Sequence, residues 1–117
     1  MVCLPLGLRP HLTNIPSRAL AFARIESHYF VNGGFYADGQ LIADAHRIAH
    51  LPIVIVQGRY DVVCPAATSW ALYKALGGAQ NPNVEYHVVA DAGHSASERG
   101  IEITLMEAVE KFKTLKA

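Results

Sequence analysis

The chain has 117 residues, 51% of them apolar, and its ten basic and ten acidic side chains cancel to a net charge of zero. That length and composition suit one soluble globular domain, and the charge balance leaves no field to hold a phosphate backbone or an anionic membrane. Two cysteines, Cys3 and Cys64, are too few for a disulfide framework and point to a reducing compartment, the cytoplasm. The opening MVCLPLGLRP has no basic stretch before its apolar residues and is interrupted by Pro5, so it does not read as a signal peptide. No apolar run approaches the length of a membrane span.

In chain order, residues 1–17 read as an irregular lead-in of unknown role, with prolines at 5, 10 and 16 and no sustained period. Ser17 is the candidate N-cap of a largely buried helix over about 18–30, where Leu20, Phe22, Ala23, Ile25, Tyr29 and Phe30 fall at mixed helical spacings. Asn32-Gly33-Gly34 stops it. A second helix is expected over about 39–50, with Leu41, Ile42, Ala45, Ile48 and Ala49 on one face, ending before Pro52. IVIVQ, from residue 53, is a continuous β-branched run without polar alternation, the pattern of a strand buried on both faces. Beyond the loop containing Asp61, Pro65 can open a helix carrying Trp70, Leu72, Tyr73, Ala75 and Leu76, which Gly77-Gly78 closes. A second strand runs from Val84 to Val89 into the turn Asp91-Ala92-Gly93-His94. Ile101, Ile103, Leu105, Met106, Val109 and Phe112 then mark an amphipathic helix that ends in a lysine-rich turn.

Strand, helix, strand, helix implies an α/β fold with parallel pairing, a right-handed crossover, and ligands beyond the carboxyl ends of the strands. Asp61 and His94 both lie there, one crossover apart, which brings their loops side by side. An aspartate and a histidine so placed are two-thirds of a catalytic triad; the bland reading is a polar loop residue and a Gly-His turn. Two strands also leave both sheet edges open, so the architecture looks incomplete on its own.

Other candidates are weaker. Cys64 near His94 could act as a nucleophile, but it lies in the acid loop and reads better as buried packing. His46 and His50 are spaced i, i+4, yet Arg47 stands where a zincin-type helix has glutamate, so no metal and no cofactor are expected. Trp70 and Tyr73 read as core or lining residues.

The runs ALAFARIESHYFVNGGF (19–35), AHRIAHLPIVIVQGRYDVVCP (45–65) and DAGHSASERGI (91–101) resemble, in order, segments of the prolyl aminopeptidase (proline iminopeptidase) family of α/β-hydrolases. The resemblance covers roughly 18–112 and only the C-terminal portion of that family. It implies Asp61 as the orienting acid, His94 as the general base, and Glu26 of the ARIE motif as the carboxylate that receives a substrate's free N-terminal amine. A cationic prolyl amine beside a carboxylate would select free termini over internal peptide bonds. The alternative for Glu26 is a solvated helix residue. The implied organisation is the lead-in over 1–17, a helical cap or substrate-binding segment over 18–50, and the C-terminal βαβα part of the hydrolase domain over 51–117.

No G-x-S-x-G nucleophile elbow occurs in the sequence. Ser17, Ser27, Ser69, Ser95 and Ser97 fall on predicted helices or in the histidine loop itself. The chain thus reads as the C-terminal part of a serine aminopeptidase acting on peptides with N-terminal proline, whether fragment, truncated gene model or half of a split enzyme. It would supply acid and base but not the serine, would be inactive by itself, and would partner an N-terminal hydrolase half. The competing reading is an α/β-hydrolase-derived binding or interaction module without catalysis. Neither nucleic acid nor membrane is an expected partner.

Overall fold

The computed structural model describes residues 15–114; most of the expected lead-in, Cys3 and the last three residues lie outside them. The chain forms two compact units, 1–40 and 41–117.

In the first unit, α1 (Ile15–Val31) begins before the expected cap, so Ser17 lies inside the helix. Pro16 falls in the first turn, where its missing N–H would have had no intrahelical acceptor. The helix ends where Asn32 Nδ2 donates to the His28 carbonyl at 2.8 Å, followed by left-handed Gly33 and Gly34. His28, Tyr29 and Phe35 form an aromatic trio with ring centroids 5.3–5.8 Å apart. The expectation of a buried helix is corrected here, because Leu20, Phe22, Ile25 and Phe30 are all exposed. Among the described residues of its unit, α1 packs against the short turn at 33–35, and one helix cannot bury two faces against one turn.

α2 (Gln40–Ala43) leads into the second unit as a single turn, and Ala45–Arg47 forms a 3₁₀ turn, in place of the continuous helix expected over 39–50. His46 supplies the physical reason. Its Nδ1 donates to the Ala43 carbonyl at 2.8 Å, the acceptor that the Arg47 N–H would use in an α-helix; that N–H goes instead to Asp44 O at 3.0 Å.

β1 (Ile53–Gly58) and β2 (Val84–Val89) pair in parallel with Ile53 opposite Val84 and Gly58 opposite Val89. Between them lies α3 (Ala66–Ala75), and α4 (Arg99–Phe112) follows β2. Strand alternation assigns the helices to opposite faces. Tyr86 meets Trp70 of α3 edge-on at 5.4 Å and Tyr73 at a tilt at 5.3 Å, whereas Glu85 pairs with Lys111 of α4. Leu76, 1% exposed, centres a core with Ala45 and Val84, flanked by Ile53, Ile55, Leu72 and Tyr73. Burying such a leucine contributes about 1.5–3 kcal/mol.

Gly77 ends α3 in the left-handed region at φ 103°, and a Cβ there would lie 2.9 Å from that of Asn81. Asn81 Nδ2 donates to the carbonyls of both Ala49 and Leu76, 2.7 Å each, which ties the approach to β1 to the end of α3. The strand expected to be buried on both faces is half-buried from Ile53 to Val56 and fully buried only at Gln57 and Gly58. The cause is the two-stranded sheet: among the described residues each strand has one unpaired edge. No described helix is long and apolar enough to cross a membrane.

Candidate active site

Both strands run in the same direction, so both deliver their following loops to one edge of the sheet. Gly58 closes β1, and the two loops are stitched by backbone bonds from Arg59 N–H to Val89 O (3.0 Å) and Tyr60 N–H to Ala92 O (2.9 Å). Gly58 has to be glycine. A Cβ on it would stand 2.0 Å from Gly93 O and 2.9 Å from Ala92 O, inside any permitted contact.

Asp61 folds its own loop around its carboxylate. Oδ1 accepts the N–H groups of Val63 (3.0 Å) and Cys64 (2.8 Å), an Asx-type turn that leaves the side chain 9% exposed. From beneath, the buried Gln57 donates through Nε2 to the Cys64 carbonyl at 3.2 Å and accepts from Ser69 Oγ at 2.6 Å. Ser69 Oγ also lies 2.9 Å from the Tyr86 hydroxyl. The acid loop is thereby held from β1, α3 and β2 together.

His94 meets that carboxylate from the other loop, its Nδ1 3.1 Å from both Oδ1 and Oδ2 of Asp61. An ionised carboxylate only accepts, so Nδ1 carries the proton, and in the neutral ring Nε2 is the nitrogen with the lone pair. The imidazole is 54% exposed, and no serine hydroxyl bonds it among the described residues. Burial opposes the charge on Asp61 but is outweighed by the Cys64 N–H, the His94 imidazole and the Val63 N–H, which hold the carboxyl below its ordinary pKa. The arrangement can orient an imidazole in one tautomer and stabilise the imidazolium once it takes a proton.

On the far side of His94, Glu98 accepts the Gly93 N–H through Oε2 (2.8 Å) and the Ser95 N–H through Oε1 (3.0 Å). Sequence reasoning passed over Glu98, Gln57 and Gly58. The signal for Glu98 was present in the S-x-x-E string of Ser95 to Glu98, the spacing at which a glutamate reaches back to a serine N–H. For Gln57 it was a lone amide at the end of an apolar strand.

Three earlier expectations fare differently. Cys64 is exposed rather than packed in the core: its N–H is committed to Asp61 and its carbonyl to Gln57, which hold it in the acid loop. Ligating atoms of Asp61, Cys64 and His94 lie within 4.8 Å of one another, an O, S and N set of the kind zinc takes. With the dyad's hydrogen bond formed, however, Asp61 and His94 are directed at each other rather than at a common ion. His46 is engaged with Ala43, off any continuous helix with His50. Glu26 lies exposed on α1, in the other unit from Asp61 and His94, and makes no hydrogen bond or ion pair among the described residues.

Two parallel strands with helices on both faces, an acid after the first and an imidazole after the second, are the C-terminal part of an α/β-hydrolase. Curated relatives place the chain within that class. It is 56% identical over 97 residues to a probable proline iminopeptidase of Leptolyngbya boryana, 82% of this chain and 29% of the relative. It is 48% identical to the proline iminopeptidase of Arabidopsis thaliana, over 92% of this chain and 29% of that protein. With the proline iminopeptidase of Neisseria meningitidis the figures are 44%, 79% and 28%. No protein-family model matches the chain. The chain is a homologue of the proline iminopeptidases and matches their C-terminal portion, spanning 29% of the length of the first two relatives.

Proposed function

We propose that this chain supplies the acid and the base of a serine aminopeptidase that releases N-terminal proline from peptides, the serine coming from outside these 117 residues. The observation that carries the reading is the contact of His94 Nδ1 with both oxygens of Asp61, between two loops at the carboxyl edge of a parallel sheet. In this reading the serine Oγ attacks the prolyl carbonyl while its proton passes to His94 Nε2. Asp61 stabilises the resulting imidazolium. As the tetrahedral intermediate collapses, His94 returns the proton to the leaving amine. It then takes a proton from the water that attacks the acyl-serine and passes it to the departing serine Oγ, which frees proline and restores the base. Glu26 receives the cationic prolyl amine. The sheet edges left unpaired among the described residues and the half-buried IVIV run support a sheet continued by strands of an N-terminal half.

A second reading, an interaction module without catalysis, draws on the lack of a G-x-S-x-G string in the sequence. One experiment separates them. The chain is combined with the N-terminal part of the Leptolyngbya boryana relative and assayed on proline p-nitroanilide and its N-acetyl derivative. The proposal expects hydrolysis of the free amine only, loss of at least about 10⁴-fold in H94A, and an E26Q effect on KM. A stable assembly without hydrolysis would establish the module.

A further inference from the structure

We infer that Glu98 is a positioning residue for His94, a carboxylate staple that sets the imidazole against Asp61. Its two oxygens grip the backbone N–H groups of the residues immediately before and after His94, Gly93 at 2.8 Å and Ser95 at 3.0 Å. The Ser95 bond alone would be an ordinary capping interaction of an S-x-x-E turn. The Gly93 bond is not part of that motif. It closes a loop around His94, the residue whose imidazole meets the Asp61 carboxylate.

The neighbours support the staple. Gly93 admits the carboxylate closely, since a Cβ there would stand 3.3 Å from Glu98 Oε1. On the other side Gly93 is pressed by Gly58, and the preceding Ala92 carbonyl is bonded by the Tyr60 N–H, so the loop is held between β1 and Glu98. Glu98 is itself anchored, its carbonyl accepting the Glu102 N–H at 2.9 Å in the first turn of α4. The chemistry requires a carboxylate of this length. Two N–H donors converge on it, and glutamine would turn an NH₂ group toward one of them. Aspartate presents the same two oxygens but is one methylene shorter, so from this backbone position it falls short of the two N–H groups.

The role rests on reading His94 as the base, but its test uses no hydrolysis, so failure of the peptidase reading and failure of the staple are distinguishable. The full chain is labelled with ¹⁵N, and the His94 ring nitrogens are identified by their loss in H94A. They are read well above the ordinary imidazole pKa of about 6.5. Wild type is expected in the Nδ1–H tautomer that Asp61 accepts. E98Q, with strand amide signals intact, is expected to shift His94 toward the Nε2–H form that an unconstrained histidine side chain prefers. E98D, which keeps the charge, should shift the same way and decides the matter if E98Q does not fold. An unchanged tautomer in either folded variant overturns the proposal, as does a shift that appears only in step with loss of the strand signals.

Discussion

Gly58 and Gly93 are packed so closely that a methyl group on the first would stand 2.0 Å from the carbonyl oxygen of the second. This contact is where the end of β1 meets the histidine loop, and it sets how near Asp61 and His94 can come. Gly58→Ala must push the Gly93 carbonyl away, and both groups belong to backbone. The expected cost is about 1–3 kcal/mol in urea unfolding, together with loss of the Nδ1–H tautomer of His94. A variant with unchanged stability and tautomer would show that the loops are not held by this contact.

Gln57 is 6% exposed and bonds Cys64 and Ser69 beneath the acid loop, Ser69 in turn reaching the Tyr86 hydroxyl. Gln57→Leu keeps the bulk but leaves the Ser69 hydroxyl and Cys64 carbonyl without this partner, at about 1–3 kcal/mol. Amide hydrogen exchange should accelerate at Val63 and Cys64, whose N–H groups rest on Asp61. Unaltered exchange there would mean that Asp61 holds its loop without support from below.

Acid should weaken the fold through two carboxyls. Asp61 is held below its ordinary pKa, burial being outweighed by the Cys64 N–H, His94 and the Val63 N–H. Glu85 is held down by its hydrogen bond to Lys111 and then by His87. A carboxyl depressed in the folded state binds fewer protons there than in the unfolded chain. Its contribution is complete above the unfolded value of about 4 and is lost as pH falls through the folded value. Unfolding free energy should therefore drop with decreasing pH below about 4, and Asp61→Asn should flatten that limb. An acid limb of unchanged slope in the variant would contradict the role given to Asp61's contacts.

Much of this fold is legible in the sequence where pattern and punctuation agree. The run from Val84 to Val89 carries three valines and a tyrosine and is bounded by Asn-Pro-Asn on one side and a turn on the other, and the strand occupies those six residues. Pro65 and Gly77 bracket α3 for reasons local to the backbone. Failures arise where the deciding partner is distant or chemical. The helix expected over 39–50 breaks because one imidazole takes a carbonyl, which periodicity does not register. Burial of α1 depends on what packs against it, not on its own residues. At the site, topology alone brings the loops of Asp61 and His94 together, but the grip of Glu98 on Gly93 needs the loop to fold back first.

In the proposed reading Asp61 and His94 activate a serine outside this chain. A fluorophosphonate probe, which labels only activated serines, tests it without reference to substrate. The chain is assembled with the N-terminal part of the Leptolyngbya boryana relative, and the labelled peptide is identified by mass. Labelling of a serine in the added part, abolished by H94A and strongly slowed by D61N, is the expected result. Labelling that proceeds equally with H94A, or that falls on a serine of this chain, would contradict it.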